Sequence, residues 1–273
     1  MRTLVHISDI HFGRVDNATV APLRRAIEAC QPDLVAISGD LTQRARTHEF
    51  REAREFLGSL PSPQIVVPGN HDIPMHNPYA RFVQPLEKYQ RYITPDLEPV
   101  FADEELIVVG INTARSATIK SGRINTSQMG RMQKKLCAVE APIVKVVVTH
   151  HPFDLPNGFQ NRDLLGRAAE AMPGLAKCGA DLFLSGHLHV GFTGNTAVRY
   201  AIAGHAALIV QAGTATSTRG RGEPNSFNVI RIHHPNIEVE RLTWESSACD
   251  FRRSHIQKFH RGEHGWAEVK SAL

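Results

Sequence analysis

Short apolar runs that end in small polar motifs recur along this chain and set its expected architecture. Leu4 to Ser8 and Leu34 to Ser38 read as buried strands, and Val20, Leu23, Ile27 and Cys30 between them fall at helical spacing, which predicts a βαβ unit. A second helix is marked by Thr47 as its N-cap and by Phe50, Ala53, Phe56, Leu57 and Leu60 on one face, and the strand Gln64 to Val67 follows it. Pro74, Pro78, Pro85 and Pro95 break residues 73–99 into loop and short helix, which suits a rim or lid more than a core. Strands Pro99 to Phe101 and Leu106 to Ile111 come next, then a polar loop with Arg115 and Arg123, then a helix with Met129, Met132 and Leu136 inward. The pattern continues with strand Ile143 to Val148, a helix including Leu164, Leu165, Ala168, Ala169 and Met172, and strand Leu182 to Ser185. Beyond residue 190 the helical signals stop. Arg199 to Ala203, Ala207 to Gln211, Phe227 to Ile232 and Ile237 to Thr243 read as strands and hairpins. The expected packing is a mixed sheet plus an antiparallel sheet, sandwiched by helices, in one domain over residues 1–245. Residues 246–273 read as a polar, basic C-terminal tail with Phe251, Ile256 and Phe259 as its few anchors.

Composition narrows the class. A chain of 273 residues can bury a substantial core without covalent staples. Cys30, Cys137, Cys178 and Cys249 form no Cys-x-x-Cys pair, so neither a disulfide framework nor a zinc ribbon is expected, and a reducing cytoplasm is the expected home. The segment from Met1 reaches Asp9 before an apolar stretch can grow to signal-peptide length, and no segment approaches the roughly 20 apolar residues of a membrane span. The formal charge of +4 is mild and reads as a solvated surface rather than a nucleic-acid footprint. Arg252, Arg253, Lys258 and Arg261 read as a solvated helix face, with contact to nucleic acid or to a second subunit in a homodimer as the minority alternative.

The chemistry sits in the polar motifs. Ser8-Asp9-Ile10-His11, Gly39-Asp40, Gly69-Asn70-His71-Asp72, Thr149-His150-His151-Pro152 and Gly186-His187-Leu188-His189 each follow a Val-, Ile- or Leu-rich run. Residues just beyond the carboxyl ends of parallel strands face the crevice where open α/β sheets keep their sites. Asp, Asn and His without a thiolate are the donors that hold hard or borderline divalent ions. The reading is a metal-dependent hydrolase.

Taken together and in this order, Asp-x-His, Gly-Asp, Gly-Asn-His-Asp, His-x-Pro and Gly-His-x-His resemble the calcineurin-like metallophosphoesterase superfamily over roughly residues 4–245. The resemblance implies an α/β fold, a four-layer αββα sandwich of mixed sheets with a dinuclear metal site at the strand carboxyl ends. It implies that Asp9, His11, Asp40 and His189 hold one divalent ion and that Asp40 bridges to a second held by Asn70, His150 and His187. His71 then sits beside the metals and acts on the leaving oxygen, with Asp72 supporting it. Between His150 and His151, the family pattern selects His150 as the ligand. The metals implied are Mn, Fe, Zn or Co, all of which accept nitrogen and oxygen donors. Two cations about 3.5 to 4 Å apart can share a hydroxide and present it in line with phosphorus. Two aspartates and one hydroxide against two divalent ions leave the centre at about +1, a sign that favours an anionic ester.

The closest resemblance within the superfamily is to bacterial class III cyclic nucleotide phosphodiesterases, which implies a small phosphodiester substrate and a phosphodiesterase activity. A phosphomonoesterase, a nucleotide-sugar lipid pyrophosphatase, a metal-dependent nuclease and a metal-free protein-binding scaffold are the alternatives. The lipid pyrophosphatases carry arginine where this chain has His71, and a complete donor set argues against the scaffold. Taken singly, Asp9 and Asp40 are ordinary loop caps and Asn70 an ordinary turn residue; it is their conjunction with the histidines that points to metal. His6 reads as a satisfied core histidine. His76 and Asn77 are candidates for the pocket wall, Arg115 and Arg123 for phosphate contact, each with a solvated loop residue as the bland alternative.

Overall fold

The computed structural model describes residues 1–140, 142–220 and 222–269. Two mixed sheets pack face to face with helices on both outer sides. The first sheet begins with β1 (Arg2–Ile7), β2 (Leu34–Ser38) and β3 (Gln64–Val67), which pair in parallel. On the other side of β1 it continues antiparallel through β10 (Ser226–His233), β11 (Asn236–Glu245), β12 (Asp250–Gly262) and β13 (Gly265–Glu268). The second sheet has β5 (Leu106–Gly110), β6 (Val144–Val148), β7 (Leu182–Ser185) and β9 (Leu208–Gln211) in parallel, flanked by antiparallel edges β4 (Val100–Ala102) and β8 (Phe192–Asn195). The second sheet is therefore mixed, not antiparallel.

Strand alternation explains the layering. In β1 and β2, Val5, Ile7, Val35 and Ile37 face the helices α1 (Asn17–Ala29) and α2 (Thr47–Gly58), while Leu4, Leu34 and Ala36 face the second sheet. That inner layer is apolar, built from residues such as Val108, Val146, Leu184, Val210 and Ile230. The helices α5 (Thr126–Cys137) and α6 (Ala168–Lys177) cover the far face through Met132, Leu136, Met172 and Leu175. Helix α2 begins where Glu49, itself buried, accepts hydrogen bonds from the Arg44 and Arg46 amides (2.8 and 3.1 Å).

Several expectations are corrected. Residues 199–203 are not a strand: α7 (Ala197–Tyr200) is a single helical turn, whose Val198, exposed to solvent, cannot serve a buried strand face. Segment 246–269 is no free tail, since β12 and β13 extend the first sheet and bury Phe251, Phe259 and Trp266; residues 270–273 lie outside the described residues. The Arg252–Arg261 cluster thus lies on a strand, not a helix, with Arg253 paired to Glu240 and Lys258 3.6 Å from Glu238. Within the proline-rich stretch, α3 (Pro78–Val83) and α4 (Glu87–Tyr92) form, and Leu86 and Tyr89 belong to the core, the Tyr89 hydroxyl donating to the Val66 carbonyl at 3.0 Å. Cys137 and Cys178, 41 residues apart, form a disulfide that joins α5 to the end of α6, and the expectation of a reducing compartment loses its premise. Among the described residues no helix is long and apolar enough to cross a membrane.

Candidate metal centre

The carboxyl ends of β1, β2, β3, β6 and β7 meet at one pole of the sandwich. Asp9 and His11 follow β1, Asp40 follows β2, and Asn70, His71 and Asp72 form a 3-10 turn after β3. His150 follows β6, and His187 and His189 follow β7, so the second sheet supplies these three from across the seam. The chain leaves its strands abruptly: Asp9, His11, Asp40, His187 and His189 all take left-handed backbone, with φ of 52°, 55°, 53°, 73° and 60°. Close backbone approach also needs bare Cα atoms. A Cβ on Gly186 would lie 1.8 Å from Ser8 Oγ and 2.4 Å from Asp9 Oδ2.

Two donor groups result. In the first, His11 Nε2 and His189 Nε2 face each other at 3.3 Å, with Asp9 Oδ1 3.6 and 3.2 Å from them. In the second, Asn70 Oδ1 lies 3.1 Å from both His150 Nε2 and His187 Nδ1. Asp40 Oδ2 stands between the groups, 3.7 Å from His11 Nε2 and 3.4 Å from His150 Nε2. Its other oxygen accepts from the His71 amide at 2.8 Å, while Asp9 Oδ2 accepts from the His187 amide at 2.9 Å.

These atoms fit divalent cations. The Nδ1 atoms of His11, His189 and His150 face the carbonyls of Thr42, Arg219 and Ser38 at 3.3, 3.0 and 2.8 Å, which puts their protons there and leaves Nε2 as a lone pair. Two such lone pairs and Asp9 Oδ1, buried with no hydrogen-bond partner, then point at one another. That arrangement is repulsive unless a positive charge sits among them. Burial disfavours charge on His150, yet the neighbouring Asp40 carboxylate, reinforced by Asp9, raises its pKa to about 9. Burial likewise opposes ionisation of Asp9, but the surrounding histidines hold it well below the usual carboxylate range. His187, pressed by burial and by His150, falls to about 3 and stays a neutral donor.

The sequence profile of the calcineurin-like phosphoesterases matches residues 2–191, which spans every donor named above. The chain belongs to that family. It is 38% identical to a glycerophosphodiester phosphodiesterase of Enterobacter lignolyticus over 81 residues, which are 25% of this chain and 29% of that relative's length. Over 203 residues, 70% of this chain and 74% of the other, it is 24% identical to a probable cyclic nucleotide phosphodiesterase of Synechococcus. A dimetal phosphatase from Danio rerio shares the fold with a TM-score of 0.67 at 12% identity, covering 94% of this chain and 98% of its own. A purple acid phosphatase from yellow lupin does so at 0.66 and 13%, covering 93% of this chain and 53% of its own.

Around the phosphoesterase centre the other expected residues take different places. His71 stands at the rim, its ring edge-on to His11 with centroids 4.9 Å apart. Asp72 does not reach the His71 ring: its carboxylate accepts from the amides of Thr42 and Gly69, both at 2.9 Å, and from the Thr42 hydroxyl, so it ties the loops after β2 and β3 together. Burial and the Asp40 charge raise Asp72 to about 6. The group orienting His71 is instead the Gln43 carbonyl, 2.8 Å from Nδ1. His151 has both ring nitrogens engaged, with Thr113 Oγ1 and the Lys120 carbonyl, each at 2.8 Å, and so is closed to metal although it lies beside His187. His6 is buried and satisfied by Ser38 Oγ at 2.8 Å. Arg115 is spent on Gln128 and on the carbonyls of Asn112 and Ala114, and Arg123 is exposed. His76 and Asn77 line a separate cavity of about 370 Å³ with Arg44, Arg46 and Lys88. Sequence reasoning missed Arg219. Its carbonyl holds His189, and its guanidinium Nη1 donates to His71 Nε2 at 2.9 Å.

Proposed function

We propose that this family member hydrolyses small phosphodiesters at a centre of two divalent ions. Asp9, His11, Asp40 and His189 would hold one ion, and Asn70, His150 and His187, with Asp40 shared, the other. The observation that carries the reading is Asp40 Oδ2, within 3.7 Å of His11 Nε2 and 3.4 Å of His150 Nε2, the position a bridging carboxylate must take. When bound, the two ions supply a polarised phosphoryl group and an acidified water, which Mn, Fe, Zn and Co can all do with nitrogen and oxygen donors.

The chain's own residues supply positioning. Main-chain carbonyls fix the tautomers of His11, His150 and His189, and the amides of His71 and His187 each lock one oxygen of Asp40 and Asp9. His71, on the rim, is held in orientation by the Gln43 carbonyl, but with Nε2 accepting from Arg219 it has no N–H free for the departing oxygen, so the leaving-group role that the resemblance implied is not part of this proposal. A diester is preferred over a monoester because both relatives above carry phosphodiesterase names. Electrostatics alone would not exclude a dianionic monoester.

Hydrolysis of bis-p-nitrophenyl phosphate, p-nitrophenyl phosphate, cyclic AMP and a glycerophosphodiester by manganese-loaded protein tests the reading. The diesters should be cleaved faster than the monoester. Much faster turnover of p-nitrophenyl phosphate, with cyclic AMP and the glycerophosphodiester left intact, would remove the phosphodiesterase assignment and leave the phosphoesterase one. The proposal assigns no compartment, because the Cys137–Cys178 bond is at odds with the reducing cytoplasm expected from the sequence.

A further inference from the structure

The rim of the centre carries a cation that the family motifs do not contain. Residues 214–219 fold back over the loop after β1: the Ala215 amide bonds the Ser8 carbonyl (3.0 Å), the Thr216 hydroxyl the Ile10 carbonyl (2.9 Å) and the Thr218 amide the Arg14 carbonyl (2.9 Å). The Arg219 amide then bonds Ser217 Oγ at 3.1 Å, and its carbonyl receives His189 Nδ1. The backbone of Arg219 is thus pinned on both sides, and its half-buried side chain is delivered to His71 rather than to solvent.

Both nitrogens of His71 are occupied there. Nδ1 faces the Gln43 carbonyl at 2.8 Å and Nε2 accepts from Arg219 Nη1 at 2.9 Å, with Gln43 Oε1 a weaker second partner of Nη1 at 3.4 Å. In this arrangement His71 offers no free N–H to a substrate. Arg219 does: among the described residues Nε and Nη2 meet no acceptor and the guanidinium has no carboxylate within ion-pair distance, its side-chain contacts being Gln43 Oε1 and His71 Nε2. An arginine held in one geometry, without a counter-ion, one imidazole away from a cation-binding cluster, is suited to planar, charge-assisted recognition of phosphate oxygens.

We propose that Arg219 binds a non-bridging phosphoryl oxygen of the substrate, and that His71 serves in part as the acceptor that aims the guanidinium. The assignment rests on the phosphoesterase reading of the site but not on the preference for diesters. The phosphoryl oxygen takes the free N–H donors while Nη1 stays on His71, so no proton needs to move. Charge built on that oxygen in the transition state strengthens the contact, which makes it a catalytic interaction as well as a binding one.

The test uses the metal-loaded protein with Arg219→Ala and Arg219→Lys. Arg219→Ala should keep its metal content, since the carbonyl that orients His189 is main chain, while kcat/KM falls about 10²- to 10³-fold. Inorganic phosphate, measured by calorimetry and as a competitive inhibitor, should bind about tenfold more weakly. Arg219→Lys should recover only part of both losses, and added guanidinium should restore part of the Ala variant's rate. In a cycle with His71→Ala, removing Arg219 should still weaken phosphate binding in the His71→Ala background. Unchanged phosphate affinity in both Arg219 variants, with a rate loss that vanishes once His71 is gone, would reduce Arg219 to a support for His71 and overturn the proposal. Because phosphate is common to both ester classes, a monoester preference would defeat the phosphodiesterase reading while leaving this result interpretable.

Discussion

Replacing Gly69 by alanine is a one-methyl perturbation aimed at the shared carboxylate. Gly69 has φ −106°, a conformation open to any residue, so space and not backbone freedom requires the glycine. An added Cβ would lie 2.1 Å from Asp40 Oδ1, 2.3 Å from the Asp40 amide nitrogen and 2.8 Å from its Cγ. Contacts that short demand a shift of about 1 Å against backbone, which overpacking costs put at about 1–3 kcal/mol. The displaced oxygen is the one accepting from the His71 amide, so the 2.8 Å bond is lost, and Oδ2 moves with it out of the gap between His11 and His150. Gly69→Ala should therefore lower metal content to at most one ion per chain, reduce turnover by about two orders of magnitude, and lower the melting temperature by roughly 2–10 °C. Gly58→Ala is the matched control. That residue ends α2 with nothing within 4 Å of the new methyl, and the change should stabilise by about 0.5–1 kcal/mol with full activity. Elemental analysis, calorimetric melting and diester hydrolysis on both variants decide the matter. A Gly69→Ala protein with two ions and normal turnover would refute the claim that Asp40 is fixed by close contact with this loop.

Asp40→Ala should lose metal from both positions rather than one, read by elemental analysis; retention of one tightly held ion would place the carboxylate in a single site. Stripping the metals should lower stability, since the donors come from both sheets: an ion present at 100 times its Kd contributes about 2.7 kcal/mol, or roughly 5–10 °C in melting temperature. An unchanged melting curve after chelation would count against metal binding at the seam. Thiol labelling of unreduced protein should modify Cys30 and Cys249 but not Cys137 or Cys178, and reduction should destabilise by about 2–4 kcal/mol. Labelling at all four would show that the bond does not form.

The centre was legible because each donor sits where a Val- or Ile-rich run stops at a glycine or a small polar residue, a local signal. Asp72 was misassigned because adjacency to His71 in sequence says nothing of where its carboxylate points, and it points back to Thr42 and Gly69. Arg219 left no trace in the pattern: it meets His71 across 148 positions, through a loop whose course depends on β9 and β10 entering different sheets. Segment 199–203 alternated like a strand, but β9, not it, took the place beside β7. Strand β12 was hidden by its charges, which it tolerates because the edge strand β13 pairs only with Phe259 to Gly262, and only Phe251 and Phe259 are buried along it.

The left-handed turns at Asp9, His11, Asp40, His187 and His189 have a consequence for how this protein could change. Each costs a non-glycine residue about 1–2 kcal/mol, so together they weigh against a total stability of about 5–15 kcal/mol. Glycine at any of the five would relax the backbone at once and abolish a donor. Selection for heat resistance alone, in a metal-poor medium, should therefore erode the centre before the core. A variant library sorted on folding would enrich glycine at the very positions that a library sorted on hydrolysis must keep.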